Sequence, residues 1–380
     1  MKSLNGLLQQ YCSDGVSYFK LGDLEDKGML RLGRGDVISK MDMSATPGDF
    51  PVYSSSATSN GLFGRYGKYM FDDERITWSI DGGGKFFYRR AHKYSVTNVC
   101  GWLNVLQKDQ LSTRFLYYVL ISAWGGRTYN YSVKAHPSVI REDYAIPVPP
   151  IEVQHEIVTI LDKFTRLEAE LEAELALRTT QYEQYRYQLL KFETLKASEL
   201  RKIPMRDLLK MQAGKFISAT EIQSEPTRGA PFPCYGGNGL RGYVSRYSHD
   251  GQFVLIGRQG ALSGNIKITD GRFYATEHAI VVTPKEETDT VWLFHSLISM
   301  NLNQYVSRGA QPGLAVSNLE NIEIVVPSLE HQSQVSRILQ AFDALLNDDL
   351  VGLPAEITAR RKQYEYYRNK LLTFKELEAV

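Results

Sequence analysis

Cysteine is scarce in this chain, long apolar runs are missing and net charge is close to zero; each lack removes a class of protein. The three cysteines, Cys12, Cys100 and Cys234, are odd in number, scattered, and without a CxxC or a Cys/His cluster. Neither a disulfide framework nor a zinc site is predicted from them. No stretch approaches the ~20 apolar residues of a spanning helix, and the opening MKSLNGLLQQYCSDG lacks the apolar run of a signal peptide. A cytoplasmic protein without membrane contact is expected. His92, His136, His155, His249, His278, His295 and His331 form no metal-ligand or nucleophile constellation. DGGGK at 81–85 is followed by Phe86, where a phosphate-binding loop requires Ser or Thr for magnesium, so it reads as a glycine turn. Also missing are the Asn-Pro-Pro-aromatic tetrapeptide that grips a flipped base and the glycine fingerprint of a cofactor domain. The chain offers no catalytic residues, no metal site and no cofactor site of its own.

The formal net charge of +1 conceals a mild segregation. Residues 1–150 carry 18 basic against 14 acidic side chains and 201–328 carry 13 against 11, whereas 151–200 carry 6 against 10 and 329–380 carry 7 against 8. The positive excess lies in the two irregular segments, a small difference that supports a nucleic-acid reading without carrying it.

What the chain does have is repetition. PPIEVQHEIVTILDKF (149–164) returns as PSLEHQSQVSRILQAF (327–342) with six identities in sixteen, and QYEQYRYQLLKF (181–192) returns as QYEYYRNKLLTF (363–374) with eight in twelve. The offset grows from 178 to 182, one helical turn, around LVGLPAE (350–356). LGRGDVIS (32–39) parallels MQAGKFIS (211–218), FPVY (50–53) parallels FPCY (232–235), and YSVTNVCG (94–101) loosely parallels FYATEHAI (273–280). So long a period signals a duplicated pair of domains, not a solenoid. In each copy a globular segment is followed by a helical one.

The helical segments follow four-three spacing. Ile157, Leu161, Phe164, Leu171, Leu175, Tyr182, Tyr185, Leu189 and Phe192 form one apolar seam, interrupted by Glu168 and Arg178. Val335, Leu339, Phe342 and Leu346 begin the second, which Ile357, Tyr364, Tyr367, Leu371 and Phe374 resume after a break at Gly352 and Pro354. This is a coiled-coil pattern. A helix of some forty residues is roughly 60 Å long, too long for the core of a small domain. Antiparallel pairing about a pseudo-two-fold axis is expected for the two copies.

The globular segments alternate short strand candidates (76–80, 102–106, 252–257 and 279–282) with glycine-rich turns, and each ends in an amphipathic helix (113–124 and 291–300). The fold class is read as α+β, with two mixed domains separated by two long helices. Their polar loops hold the candidate DNA-binding residues. Ser54, Ser55 and Asn60 lie in YSSSATSNG, and Asn238 and Arg241 in YGGNGLRG. Arg258 and Gln259 follow a strand, with Lys85, Arg89 and Arg90 in the region read as corresponding; Lys134 and His136 are in one late loop, Arg308 and Gln311 in the other, and Lys215 is in MQAGKFIS. Such groups suit phosphates and base edges.

The Pro-Pro-Ile-Glu-Val-Gln lead into the first long helix and the Gln-Tyr-Glu-x-Tyr-Arg-x-x-Leu-Leu-x-Phe close of both resemble the DNA specificity subunit of type I restriction-modification enzymes. YCSDGVSYFKLGDL (11–24) looks like that family's lead into a first target-recognition domain, and GLPAEITARRKQYEYYRNKLLTF (352–374) like its distal helical region, although the first helical region reads LEAELALRTT where the second has Gly352, Leu353 and Pro354. The resemblance covers the whole chain. It implies recognition domains at 1–150 and 201–328, and helical spacers at 151–200 and 329–380. Each domain would read one half of an asymmetric double-stranded DNA target, the helices setting the spacing and docking methyltransferase subunits, with a translocating restriction subunit joining them. S-adenosylmethionine, ATP and magnesium would belong to those partners. A coiled-coil scaffold that binds only protein is the alternative; it accounts for the helices but not for the duplicated polar-looped domains.

Overall fold

The computed structural model describes residues 4–377, apart from 57, 58, 126, 128, 130–132, 194, 261, 308–312 and 349 and the side chain of residue 59. Two compact units emerge, Met1–Leu171 with Ile357–Val380, and Glu172–Glu356. The first unit runs α1 (Leu4–Tyr11), β1 (Tyr18–Lys20), α2 (Leu21–Asp26), β2 (Leu30–Arg34), α3 (Lys40–Ala45), β3 (Phe50–Tyr53), β4 (Leu62–Tyr66), β5 (Arg75–Ser79), β6 (Phe86–Arg89), β7 (Ser95–Val96), β8 (Cys100–Val105), α4 (Thr113–Trp124), α5 (Pro137–Asp143) and β9 (Ala145–Pro147), then enters α6 (Ile151–Lys191). The second continues with β10 (Arg201–Pro204), α7 (Met205–Leu208), β11 (Leu209–Ala213), β12 (Phe232–Gly236), β13 (Gly239–Val244), β14 (His249–Asp250), β15 (Phe253–Gly257), β16 (Ile266–Thr269), β17 (Arg272–Ala275), β18 (Ala279–Pro284), α8 (Thr290–Ser299), α9 (Val316–Glu320), β19 (Glu323–Val326) and α10 (Leu329–Asn347). The last helix, α11 (Leu353–Leu372), begins in the second unit and runs into the first.

The duplication is written in the sheets. The first unit has a four-stranded sheet β2-β8-β5-β6 and a three-stranded sheet β4-β3-β7; the second has β11-β18-β15-β16 and β13-β12-β17-β14. In both small sheets the central strand pairs antiparallel with its hairpin partner and parallel with the third strand. One short antiparallel pair closes each neck, β1 with β9 and β10 with β19. Even the junctions repeat. Gly35 N–H donates to Cys100 O and Asp36 N–H to Val96 O, as Gly214 N–H donates to Ala279 O and Lys215 N–H to Ala275 O. A methyl group on Gly35 would overlap the Val96 carbonyl, and one on Gly214 the Ala275 carbonyl. The strand ends meet too closely for any side chain, which explains the glycine shared by LGRGDVIS and MQAGKFIS.

Each unit buries its own core. In the first, Trp78, Phe86, Leu103, Phe115 and Leu116 of the large sheet and α4 join Val153, Ile157 and Leu161 of α6. In the second, Val254, Ile256, Ile280, Val282, Trp292 and Leu293 join Tyr182, Val335, Leu339 and Leu346. Ile157 and Leu161 thus belong to a domain core and not to a seam against another helix alone. The opening turns of α6 and α10 are where the globular parts attach, so their apolar stripe is shared.

Helix-to-helix contact lies further along, and in each unit it is antiparallel. Phe164 stacks on Tyr367 at 5.4 Å and meets Tyr364 at 6.4 Å, while Glu168 takes a 2.7 Å hydrogen bond from Arg361. In the second unit Phe342 meets Tyr182 and Tyr185, both at 5.8 Å. Leu175, Leu189, Phe192 and Val335 pack in that same core, and Leu371 and Phe374 lie against the first one. Leu171 is half-buried and Ile357 buried. The polar interruptions are partnered: besides Glu168 with Arg361, Arg178 binds Gln181 at 2.9 Å and Glu174 at 3.5 Å. Between α10 and α11, Gly352 N–H donates to Asp348 O, and Pro354 occupies the second position of α11, where its missing N–H costs nothing.

Candidate nucleic-acid interface

In each unit three connections converge at one end of the large sheet. In the second unit these are the β12–β13 turn, the loop after β15 and the turn between β17 and β18. Gly237 packs on the Gln259 carbonyl so closely that a methyl group would overlap it. Arg258 N–H donates to His278 O at 2.8 Å, its guanidinium donates to Glu277 O at 3.3 Å, and Leu314 N–H donates to Arg258 O at 2.7 Å. Arg258 is therefore half-buried and tethered, while Gln259, Asn238 and Arg241 are exposed around it. Lys215 is exposed after β11. Burial first and the Lys215 charge second lower the pKa of His249, which stacks on Phe273 at 5.2 Å. Arg308 and Gln311 lie outside the described residues.

The first unit builds the same convergence from different side chains. Ser55 Oγ donates to Val99 O at 3.0 Å, and Ser79 Oγ donates to Ser55 O at 2.8 Å. Thr97 Oγ1 donates to Ser54 Oγ at 2.8 Å. Lys134 forms an ion pair with Asp81 at 2.9 Å. Ile80 N–H donates to Val99 O, the bond Arg258 makes in the second unit, so the residue equivalent to Arg258 is Ile80. Ser54 and Ser55 hold the loops together, with only part of their surface open to solvent. His136 caps α5, its ring nitrogen accepting from Ser138 N–H. Asn60 is exposed, in a left-handed conformation at φ 54°.

Two sequence-based assignments are corrected here. Lys85 occupies the loop, half-buried, and its carbonyl accepts from Ser79 N–H; Arg89 and Arg90 lie beyond it, Arg89 being paired with Arg75 at the far end of β6. Arg89 is, moreover, only 2 % exposed. Its Nε donates to Thr77 Oγ1 and its Nη2 to Asn60 O, both at 2.9 Å, and its guanidinium lies 3.6 Å from the centre of the Tyr53 ring. Desolvation lowers its pKa. This arginine supports the Asn60 loop from beneath; a buried cation with fixed partners is not a surface DNA contact. Arg90 is exposed.

Sequence reasoning passed over Lys267. It is exposed on β16, and its side chain reaches within 3.2 Å of where a Cβ on Gly239 would sit, under the β12–β13 turn. Strand register could have found it, since Lys267 sits opposite Leu255, one pair from the Ile256–Ile266 end of the hairpin. Thiol chemistry has no foothold here: burial pushes Cys100 up to about 12 and Cys234 up to about 11. Among the described residues no group of His, Cys, Asp and Glu is placed to hold a metal ion, and no helix is long and apolar enough to cross a membrane.

A duplicated α+β domain, each copy presenting polar loops from one sheet end and mounted on a long helix, is a fold found in solved specificity subunits. The chain matches the type I restriction-modification system S subunit from M. genitalium with a TM-score of 0.59 over 94% of this chain and 96% of that one, at 18% identity. It matches a chain in a structure of complex assembly and conformational transition of the type I R-M system at 0.56, over 94% and 97%, at 13% identity. In sequence it is 35% identical over 353 residues to the type I restriction enzyme EcoprrI specificity subunit of Escherichia coli, covering 89% of this chain and 82% of that protein. Residues 13–177 and 198–359 both match the type I restriction modification DNA specificity domain. The chain belongs to the family of type I restriction-modification specificity subunits. It is a DNA-recognition subunit and not an enzyme.

Proposed function

We propose that this chain reads an asymmetric, two-part double-stranded DNA target, one half through each globular unit, at a distance set by its helices. The observation that carries the reading is the repeated strand order with unlike loop residues: the Arg258 position of one copy is Ile80 in the other. Identical scaffolds with different contact chemistry suit two different base sequences. The DNA-facing groups on this reading are Ser54, Ser55, Asn60, Lys85, Arg90, Lys134 and His136 in the first unit, and Lys215, Asn238, Arg241, Arg258, Gln259 and Lys267 in the second, with Arg308 and Gln311.

The spacing element is α6, 41 residues without glycine or proline, a rod of roughly 60 Å, paired with α10 and α11. Methyltransferase subunits dock on these helices and restriction subunits join the assembly in the cytoplasm. S-adenosylmethionine, ATP and magnesium are held by those partners on this reading. Mapping methylated positions in DNA exposed to the chain with its methyltransferase subunits tests the reading: a split target with two unlike halves is expected, and methylation without sequence preference would refute it.

The spacer makes its own prediction. Four residues inserted into α6 near Ala176, with four inserted opposite in α10, lengthen the rod by about 6 Å at 1.5 Å per residue. The preferred gap between half-targets is expected to grow by one or two base pairs while the bases themselves stay the same. An unchanged gap would remove the helices from that role.

A further inference from the structure

PPIEVQ and PSLEHQ share a glutamine, Gln154 in the first and Gln332 in the second. Gln154 is fully buried and Gln332 is 2 % exposed, unusual for a residue type mostly found at surfaces. Each is the fourth residue of its long helix, and each spends its amide in the same way. Gln154 Oε1 accepts from Ser112 N–H at 2.9 Å, while its Nε2 donates to Pro149 O at 2.7 Å and to Gln110 O at 2.9 Å. Gln332 Oε1 accepts from Asp289 N–H at 2.9 Å, while its Nε2 donates to Pro327 O at 3.0 Å. Ser112 and Asp289 are the N-caps of α4 and α8. One amide therefore joins the chain leaving the globular part, the first turn of the long helix, and the start of the globular part's own helix.

A second polar tie accompanies each amide. Arg114 of α4 donates to Asp162 of α6 at 2.8 Å, and Ser336 of α10 donates to Asp289 at 2.5 Å. Apolar packing at these joints, by Val153, Ile157 and Leu161 or by Val335 and Leu339, supplies adhesion without direction. Hydrogen bonds to fixed backbone groups, three at Gln154 and two at Gln332, supply angle.

We infer that Gln154 and Gln332 are positioning residues that set the angle at which each globular unit is mounted on its helix, and through it the placement of that unit's reading loops along DNA. The inference rests on the proposed two-part reading. Its scale is set by geometry: a tilt of about 10° at the end of a lever of roughly 20 Å moves a loop by about 3.5 Å, close to one base-pair rise. A loosened joint would leave the bases read unchanged and blur the gap between halves.

The test uses the full chain assembled with its methyltransferase subunits, on DNA carrying the mapped target at its natural gap and at gaps one base pair shorter and longer. Gln154→Met and Gln332→Met keep the side chain's volume and remove every hydrogen bond. Each is expected to preserve base preference within both halves and to reduce the methylation ratio of natural over altered gap by about tenfold. Ser336→Ala, which removes one hydroxyl from the second joint, is the milder variant should a methionine variant fail to assemble, and it is expected to shift the ratio in the same direction. A purely structural glutamine would lower the melting temperature and leave that ratio untouched. An unchanged ratio in an assembled variant overturns the inference, whereas a wild-type complex showing no target at all overturns the proposed function instead.

Discussion

Replacing residues 201–328 with the corresponding segment of another specificity subunit is expected to exchange one half of the DNA target and leave the other half as it was. The fold supplies the reason. Arg201 opposite Val326 is the terminal pair of the β10–β19 ladder, so both cut points lie side by side at a closed neck and a donor segment enters and leaves at one place. The donor must also present what α10 expects: a residue like Asp289 to meet Gln332 and Ser336, and apolar groups in place of Trp292, Leu293 and Leu297 against Val335 and Leu339. Methylation of the original split target should fall by on the order of a thousandfold or more, the usual gap between specific and non-specific DNA affinity. Sequencing of methylated DNA from the exchanged complex checks this. Change in both halves, or in neither, would show that the units do not read independently.

Arg89→Ala is expected to destabilise the first unit strongly, by about 2–4 kcal/mol. The truncation leaves Thr77 Oγ1 and the Asn60 carbonyl without their donor, removes the cation from the Tyr53 face and opens a cavity beneath the β3–β4 loop. A melting temperature lower by on the order of 5–10 °C should follow for that unit. Arg89→Met, which refills the volume, should recover part of the loss, because replacing a buried charge with a packed apolar chain costs less than removing it. Arg241→Ala is the contrast. Arg241 is exposed, so its loss should leave thermal stability within about 0.5 kcal/mol and, if the side chain meets a phosphate, reduce the salt dependence of DNA binding by about one counterion. Calorimetry on the two variants separates them: equal melting would mean that Arg89 is not the support its geometry describes.

Arg89 also shows where sequence reading stops. In one dimension FYRRAHK is a basic run after a glycine turn, the composition of a phosphate contact. Which of two adjacent arginines points inward depends on strand parity and on what lies across the sheet, Thr77 on one side and the Asn60 loop on the other. Trp78, Val254 and Ala279, by contrast, sit in strands recognisable from their β-branched and aromatic runs, and α4 spans the same residues, 113–124, that its apolar spacing marks out. The long helix was legible because four-three spacing over so many turns has no other physical outcome. Its sharing between a domain core and a helix partner was not, since the same apolar residue serves either neighbour.

The duplication, the order of globular and helical segments, and the break at Gly352 and Pro354 are properties of local pattern, and local pattern is what a sequence states directly. Tertiary structure alone decided that Arg89 is a support, that Ile80 stands where Arg258 does, and that two repeated glutamines tie three segments into one joint. Each of these depends on contacts between residues tens of positions apart, brought within 3 Å by strand pairing and helix packing that no single stretch of chain encodes.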